Sequence, residues 1–214
     1  MQQFFISLAL VAASVAPASA QDFFVFGGAA IEYEREPDGK GSDDKTDVNA
    51  YMEIEKSGLY FGVWVERSSD TLDSKADVYA GYRSELGSGL SYDISATRRF
   101  YLNDEGDYSS LDLGVDMPIG NKLSGSLDLT YYPESSVSDA YVGLSYAVTD
   151  KLSVSANYGT YGVEDATSEQ EWDFGAGYNL TDETVFDVRY YDGTDYADPY
   201  LGLSLTWDTT ILSR

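Results

Sequence analysis

Nine carboxylates recur at a spacing that repeats through the chain: Asp77, Glu85, Asp93, Asp112, Asp116, Asp128, Asp139, Asp173 and Asp187. Each falls on the polar phase of a stretch in which polar and apolar residues alternate, and Arg83, Arg99 and Arg189 are the chief basic residues on that phase. Two kinds of chemistry are open to such a set. A pair such as Asp112 and Asp116 could act as general acid and general base, as carboxylates do in glycoside hydrolysis. Alternatively, a row of acids with few cations beside it attracts positive ions, and the arginines pair across to some of the acids and brace them. Acid pairs arise readily on any acidic strand, so the electrostatic role is the expected one.

Composition removes most other possibilities. The 214 residues include no histidine and no cysteine, so there is no imidazole base, thiolate nucleophile, disulfide or Cys/His zinc site. The chain is not expected to be an enzyme or to hold a cofactor or metal. Thirteen Lys and Arg stand against 37 Asp and Glu, a net charge of -24, which repels nucleic acid. The acidic stretch DGKGSDDKTD (38–47) lacks the ligand spacing of a calcium-binding loop and reads as a solvated tip.

The elements that must position these residues follow from their period. In KADVYAGYRSE (75–85), Ala76, Val78, Ala80 and Tyr82 alternate with Asp77, Tyr79, Gly81, Arg83 and Glu85, the pattern of a strand with one apolar face. The same alternation gives apolar stripes at Val48–Ile54, Leu59–Val65, Leu90–Ala96, Leu111–Met117, Leu127–Tyr131, Ala140–Val148, Leu152–Tyr158, Trp172–Tyr178, Phe186–Tyr190 and Leu201–Trp207. A less regular first strand spans Phe23 to Arg35, for 12 strands in all, with ten as the alternative if Gly27-Gly28 breaks the first. No helix-period segment interrupts the series. Short turns (Lys56-Ser57-Gly58, Leu86–Gly89, Pro118–Asn121, Thr149–Lys151, Thr181–Glu183) alternate with longer, more acidic connections. Ahead of all this, MQQFFISLALVAASVAPASA (1–20) has the apolar run and Ala-Ser-Ala end of a secretory signal peptide, leaving 21–214 as one domain.

Twelve strands with alternating short and long connections and an even count predict a single closed antiparallel up-and-down transmembrane β-barrel. Strands of about ten residues at about 3.3 Å each, tilted about 40°, rise about 25 Å, the height of a bilayer's apolar band. Aromatics gather at both ends of the apolar stripes, Tyr82, Tyr92, Tyr146, Tyr178, Phe186 and Trp207 at one and Tyr33, Phe100, Tyr131, Tyr158, Trp172 and Tyr190 at the other. Two girdles of this kind suit a lipid-facing surface. The apolar phase then faces lipid, with Arg98 reaching for the headgroups, and the carboxylates face a lumen. Twelve strands about 4.8 Å apart make a backbone tube about 24 Å across, which the inward Tyr51, Tyr60, Trp64, Tyr79, Tyr101, Tyr132, Tyr141 and Tyr191 are expected to fill in large part.

SGLYFGVWVE (57–66) and DVYAGYRSELGSGLSYDI (77–94), with the looser YVGLSY (141–146) and FGAGYNL (174–180), resemble the TorF-like family of outer-membrane porins. The resemblance implies a passive channel with no catalytic residues. Barrels of that kind finish on an aromatic residue read by the insertion machinery, whereas this chain continues past Trp207 through DTTILSR, an overhang by this reading. The expectation is a cell-outer-membrane channel that passes small cationic or neutral polar solutes, lined by the nine acids and three arginines. Its partners would be outer-membrane lipid and lipopolysaccharide, the insertion machinery during biogenesis, and small solutes. The alternative is a non-conducting structural or adhesive barrel plugged by its own side chains.

Overall fold

A computed structural model describes residues 23–35, 44–69, 74–101, 106–162, 169–194 and 199–214. The segment expected to be a signal peptide (1–20) and most of the acidic tip lie outside the described residues. The strands are β1 (Phe23–Arg35), β2 (Lys45–Lys56), β3 (Leu59–Ser68), β4 (Lys75–Glu85), β5 (Ser91–Tyr101), β6 (Tyr108–Pro118), β7 (Leu123–Tyr132), β8 (Val137–Ala147), β9 (Leu152–Tyr161), β10 (Glu169–Asn179), β11 (Thr184–Gly193) and β12 (Tyr200–Ser213). Each pairs antiparallel with its neighbours in sequence, and β1 pairs with β12 to close the barrel. Closure leaves each strand a hydrogen-bonding partner on both sides, the condition for backbone to cross hydrocarbon.

Local chemistry sets the short-turn end. Ser57 and Gly58, both at positive φ (53° and 83°), join paired Lys56 and Leu59 as the two-residue hairpin loop whose twist matches that of the strands. Thr149 Oγ1 accepts the Lys151 and Leu152 amides at 3.2 and 3.0 Å, and Thr181 Oγ1 accepts that of Glu183 at 3.2 Å. At the opposite end, the β7–β8 turn is held from outside. Arg98 Nη1 donates to Glu134 Oε1 (2.9 Å) and Ser109 Oγ (3.1 Å), and the Ser109 amide donates to Glu134 (3.0 Å). Backbone N–H groups, its own and that of Ser109, together with the Arg98 charge hold the Glu134 carboxyl below its ordinary range.

The apolar phase lies outside. Val48, Met52, Phe61, Val63, Ile94, Leu111, Val142, Leu144 and Phe174 are exposed there, as are Tyr82, Tyr146, Tyr178 and Trp207 near the short turns and Phe100, Tyr131, Tyr158 and Trp172 near the other end. Rings meet across strands, Tyr82 with Tyr92 at 6.2 Å and Trp172 with Tyr190 at 5.6 Å between centroids.

Twelve strands form, not ten, and the reason lies at the seam. Gly27 and Gly28 remain in register with both neighbours. DTTILSR is no overhang: β12 runs to Ser213 and pairs with Phe24–Gly28, with a register shift between Val25 and Phe26 that leaves Ile211 as the extra residue. A Cβ at Gly28 would meet Asp208 Oδ1, Tyr51 Cε1 and the Trp207 carbonyl, all within 2.7 Å, where Tyr51 donates to Asp208 at 2.9 Å. Gly28→Val is expected to cost about 1–3 kcal/mol by overpacking, read as a lower urea midpoint of the folded barrel. Gly27→Ala, whose Cβ meets the end of the flexible Ile211 side chain, is expected to cost less.

Candidate functional site in the barrel interior

Alternation places the polar phase of every strand on the inner face, but the inner face is not uniform. On β2–β5 it is a lattice of ion pairs. Arg99 binds Asp77, its directly opposite residue, through both carboxylate oxygens at 2.8 and 2.6 Å. Its remaining Nη1 donates to the Tyr108 hydroxyl at 2.7 Å. Arg83 lies over the Tyr60 ring (4.0 Å) and reaches Glu53 at 2.7 Å, Asp93 at 3.5 Å and Glu55 at 3.7 Å; the Tyr60 hydroxyl donates to Asp93. Two further cations belong here, Lys45 with Asp47 and Lys75 with Glu66, each at 3.1 Å. Lys75 is entirely buried, its ammonium 5.7 Å from the Trp64 ring centroid.

A second, smaller knot spans β9–β11. Arg189 pairs with Asp173 and, at 3.3 Å, with Asp187, and donates to Ser155 Oγ at 2.7 Å. Asn157 donates to both Asp173 oxygens at 2.9 and 3.0 Å. Asp139 is buried and accepts from the Tyr132 hydroxyl (2.9 Å) and the Gly162 amide (3.0 Å).

Between these two regions the wall changes character. Strands β6 to β10 contain no Lys or Arg at all, while their inner phase carries Asp112, Asp116 and Asp128. Asp112 accepts only from hydroxyls, Ser110 and Thr130 at 2.9 Å and Thr97 at 3.4 Å. Asp128 is exposed to the interior and Asp116 partly so. Gly114, Ser126, Gly143, Ser145 and Ser153 on the inner phase around them are small, while Tyr141 stands directly opposite Asp128.

Ten of the twelve residues singled out from sequence therefore sort into three groups, and two stand apart. Asp77, Asp173, Asp187, Arg99 and Arg189 are locked into ion pairs, Asp93 and Arg83 are half-open, and Asp112, Asp116 and Asp128 face interior space with no cation against them. Asp139 is buried in hydrogen bonds, and Glu85 sits exposed at the short-turn end. Asp112 and Asp116 do not make an acid–base pair: four residues of strand separate them by about 13 Å, beyond the spacing of glycosidase carboxylates. Lys45, Lys75, Glu53 and Glu66 escaped the sequence reading. Extending the alternation of Asp77, Tyr79 and Gly81 back by two residues would have included Lys75.

Three of the inward tyrosines are seated against glycines of the next strand. Tyr79 stands opposite Gly62, Tyr60 opposite Gly81 and Tyr141 opposite Gly159, and a Cβ on any of these glycines would strike the tyrosine ring. Each of these rings occupies the space that a side chain on the facing glycine would take.

No protein-family model matches the chain, and no curated protein matches it. Among solved structures it is similar to the KdgM porin, with a TM-score of 0.67 and 9% identity over 84% of this chain and 98% of that one. It is also similar to the NanC porin, with a TM-score of 0.61 and 10% identity over 87% of this chain and 100% of that one. The outer membrane phospholipase A from Escherichia coli aligns with a TM-score of 0.56 and 10% identity over 84% of this chain and 89% of that one. At such identities the likeness is one of fold, and this fold carries both channels and an enzyme.

Proposed function

We propose that this chain, freed of residues 1–20, is an outer-membrane porin of the TorF-like kind, through which small cationic and neutral polar solutes diffuse passively. The observation that carries the reading is the wall of β6–β10, which has no basic residue and presents Asp112, Asp116 and Asp128 to the interior. A low-dielectric wall focuses the field of unpaired carboxylates into the space they line. Asp112 and Asp116 are too far apart along one strand for acid–base work, and the chain has no histidine to serve as a general base. In this reading the short turns and both termini face the periplasm, and lipid, lipopolysaccharide and the insertion machinery are its surroundings.

One observation favours the plugged barrel instead, the dense packing of β2–β5, where Lys75, Glu66, Asp47 and Tyr60 are buried inside the tube. Conductance separates the two. Purified protein in a planar bilayer under a KCl gradient is expected to conduct and to reverse at a potential of cation-selective sign, with selectivity fading as salt rises and the Debye length shrinks from about 10 Å at 0.1 M to about 3 Å at 1 M. A protein that inserts but never conducts is the plugged barrel; an anion-selective one ends the electrostatic reading.

A further inference from the structure

The outer face of β6–β10 departs from a plain apolar wall. Met117, Gly125, Leu144, Ala156 and Phe174 form one cross-strand row, and the two small residues flanking Leu144 leave a cleft of about 600 Å³ walled by Met117, Leu127, Val142, Leu144 and Tyr158. A second depression of about 180 Å³ shares Leu144 and Ala156 with the first and continues past Val154 to Tyr146. Together they make one groove leading toward the short turns.

A cation stands where the groove ends. Lys122 is exposed, its ammonium 6.0 Å from the centroid of the Tyr146 ring that lines the second depression. It is anchored there by donating to the Val148 carbonyl at 3.1 Å. Lys151 is exposed on that same β8–β9 turn. In a chain with a net charge of -24, Lys122 sets an exposed cation against the ring that ends the apolar groove, and Lys151 stands on the facing turn beside the exposed Asp150.

We propose that this groove is a binding site for one acyl chain of an anionic glycerophospholipid of the periplasmic leaflet, with Lys122 and Lys151 holding its phosphate. The site rests on the membrane orientation given above but not on conduction. Hydrocarbon gains contact by filling a cleft that flat bilayer packing would leave poorly occupied. A basic side chain at an anionic lipid surface contributes roughly a fivefold gain in binding. A single lipid supplies both an apolar chain for the groove and an anion for the ammonium at its end.

Native mass spectrometry of the detergent-solubilised mature chain, titrated with phosphatidylglycerol and with phosphatidylcholine of the same acyl chains, tests the site. Phosphatidylglycerol is expected to be retained at least about fivefold better, and Lys122→Gln with Lys151→Gln to erase that preference. Gly125→Leu is expected to reduce retention of both lipids by filling the cleft. The variant should fold, because a Cβ at Gly125 meets nothing closer than Ile119 Cδ1 at 3.4 Å. Equal retention of the two lipids, a preference that survives loss of both lysines, or a dimer that Gly125→Leu dissolves would each overturn the proposal. A barrel that keeps the lipid preference yet never conducts overturns the channel reading alone.

Discussion

Changing Asp112, Asp116 and Asp128 together to Asn is expected to remove more than half of the reversal potential measured across a KCl gradient, while leaving the barrel folded. These three carboxylates stand on a wall without Lys or Arg, so their charge is not cancelled locally and their removal leaves no stranded cation. Asp77 and Asp173 behave differently. Each is matched by an arginine, Arg99 or Arg189, so neutralising either is expected to expose a positive charge and to loosen the wall. Selectivity should therefore fall in the triple variant with stability kept, and stability should fall in Asp77→Asn. The triple variant's effect should be largest at low salt, because screening shortens the reach of the missing charges. A triple variant as cation-selective as the parent would place the solute path elsewhere.

Lys75→Met is expected to destabilise the folded barrel by about 3–5 kcal/mol, the scale for removing one partner of a buried ion pair. Lys75 has no exposed surface, Glu66 is 7% exposed, and the two sit 3.1 Å apart on directly paired residues of β3 and β4. Without the ammonium the Glu66 carboxylate stays buried and uncompensated. The double variant Lys75→Met/Glu66→Leu should recover most of the loss, since apolar residues of similar volume replace a buried pair with little net change. Urea unfolding followed by tryptophan fluorescence is a suitable measurement, because Trp64 lies against the substituted side chain. Equal destabilisation in the single and double variants would locate the cost in packing instead of charge.

Strand count, topology and the direction of each side chain were legible because a period of two is a local property, and every stripe from Val48 to Trp207 kept its phase. Pairing across strands was not. Asp77 and Asp112 have the same phase in similar surroundings, yet one is bound by an arginine and the other is open, and only register distinguishes them. The tyrosines show the same limit. Whether Tyr79 finds room against the next strand depends on Gly62 being opposite it, seventeen residues away along the chain. The seam misled for a related reason: DTTILSR lacks clean alternation because its partner, Phe23–Gly28, is itself irregular, and the register shift between them absorbs what looked like a misfit.

That seam also bears on the timing of assembly. The strand that emerges first from synthesis must wait for the last, because β1 finds its second partner only in β12. Past Trp207, β12 has β1 beside it but no more of β11, which begins at Thr184, so the final residues can dock only once the first strand is in place. Without them Ala29–Arg35 would still pair with Leu201–Trp207, but Phe24–Gly28 would lose their partners on that side and show unpaired amides and carbonyls, which hydrocarbon does not tolerate. Closure is thus the joining of the two strands most distant in sequence, and a barrel that lacks it presents an open edge to any neighbouring chain.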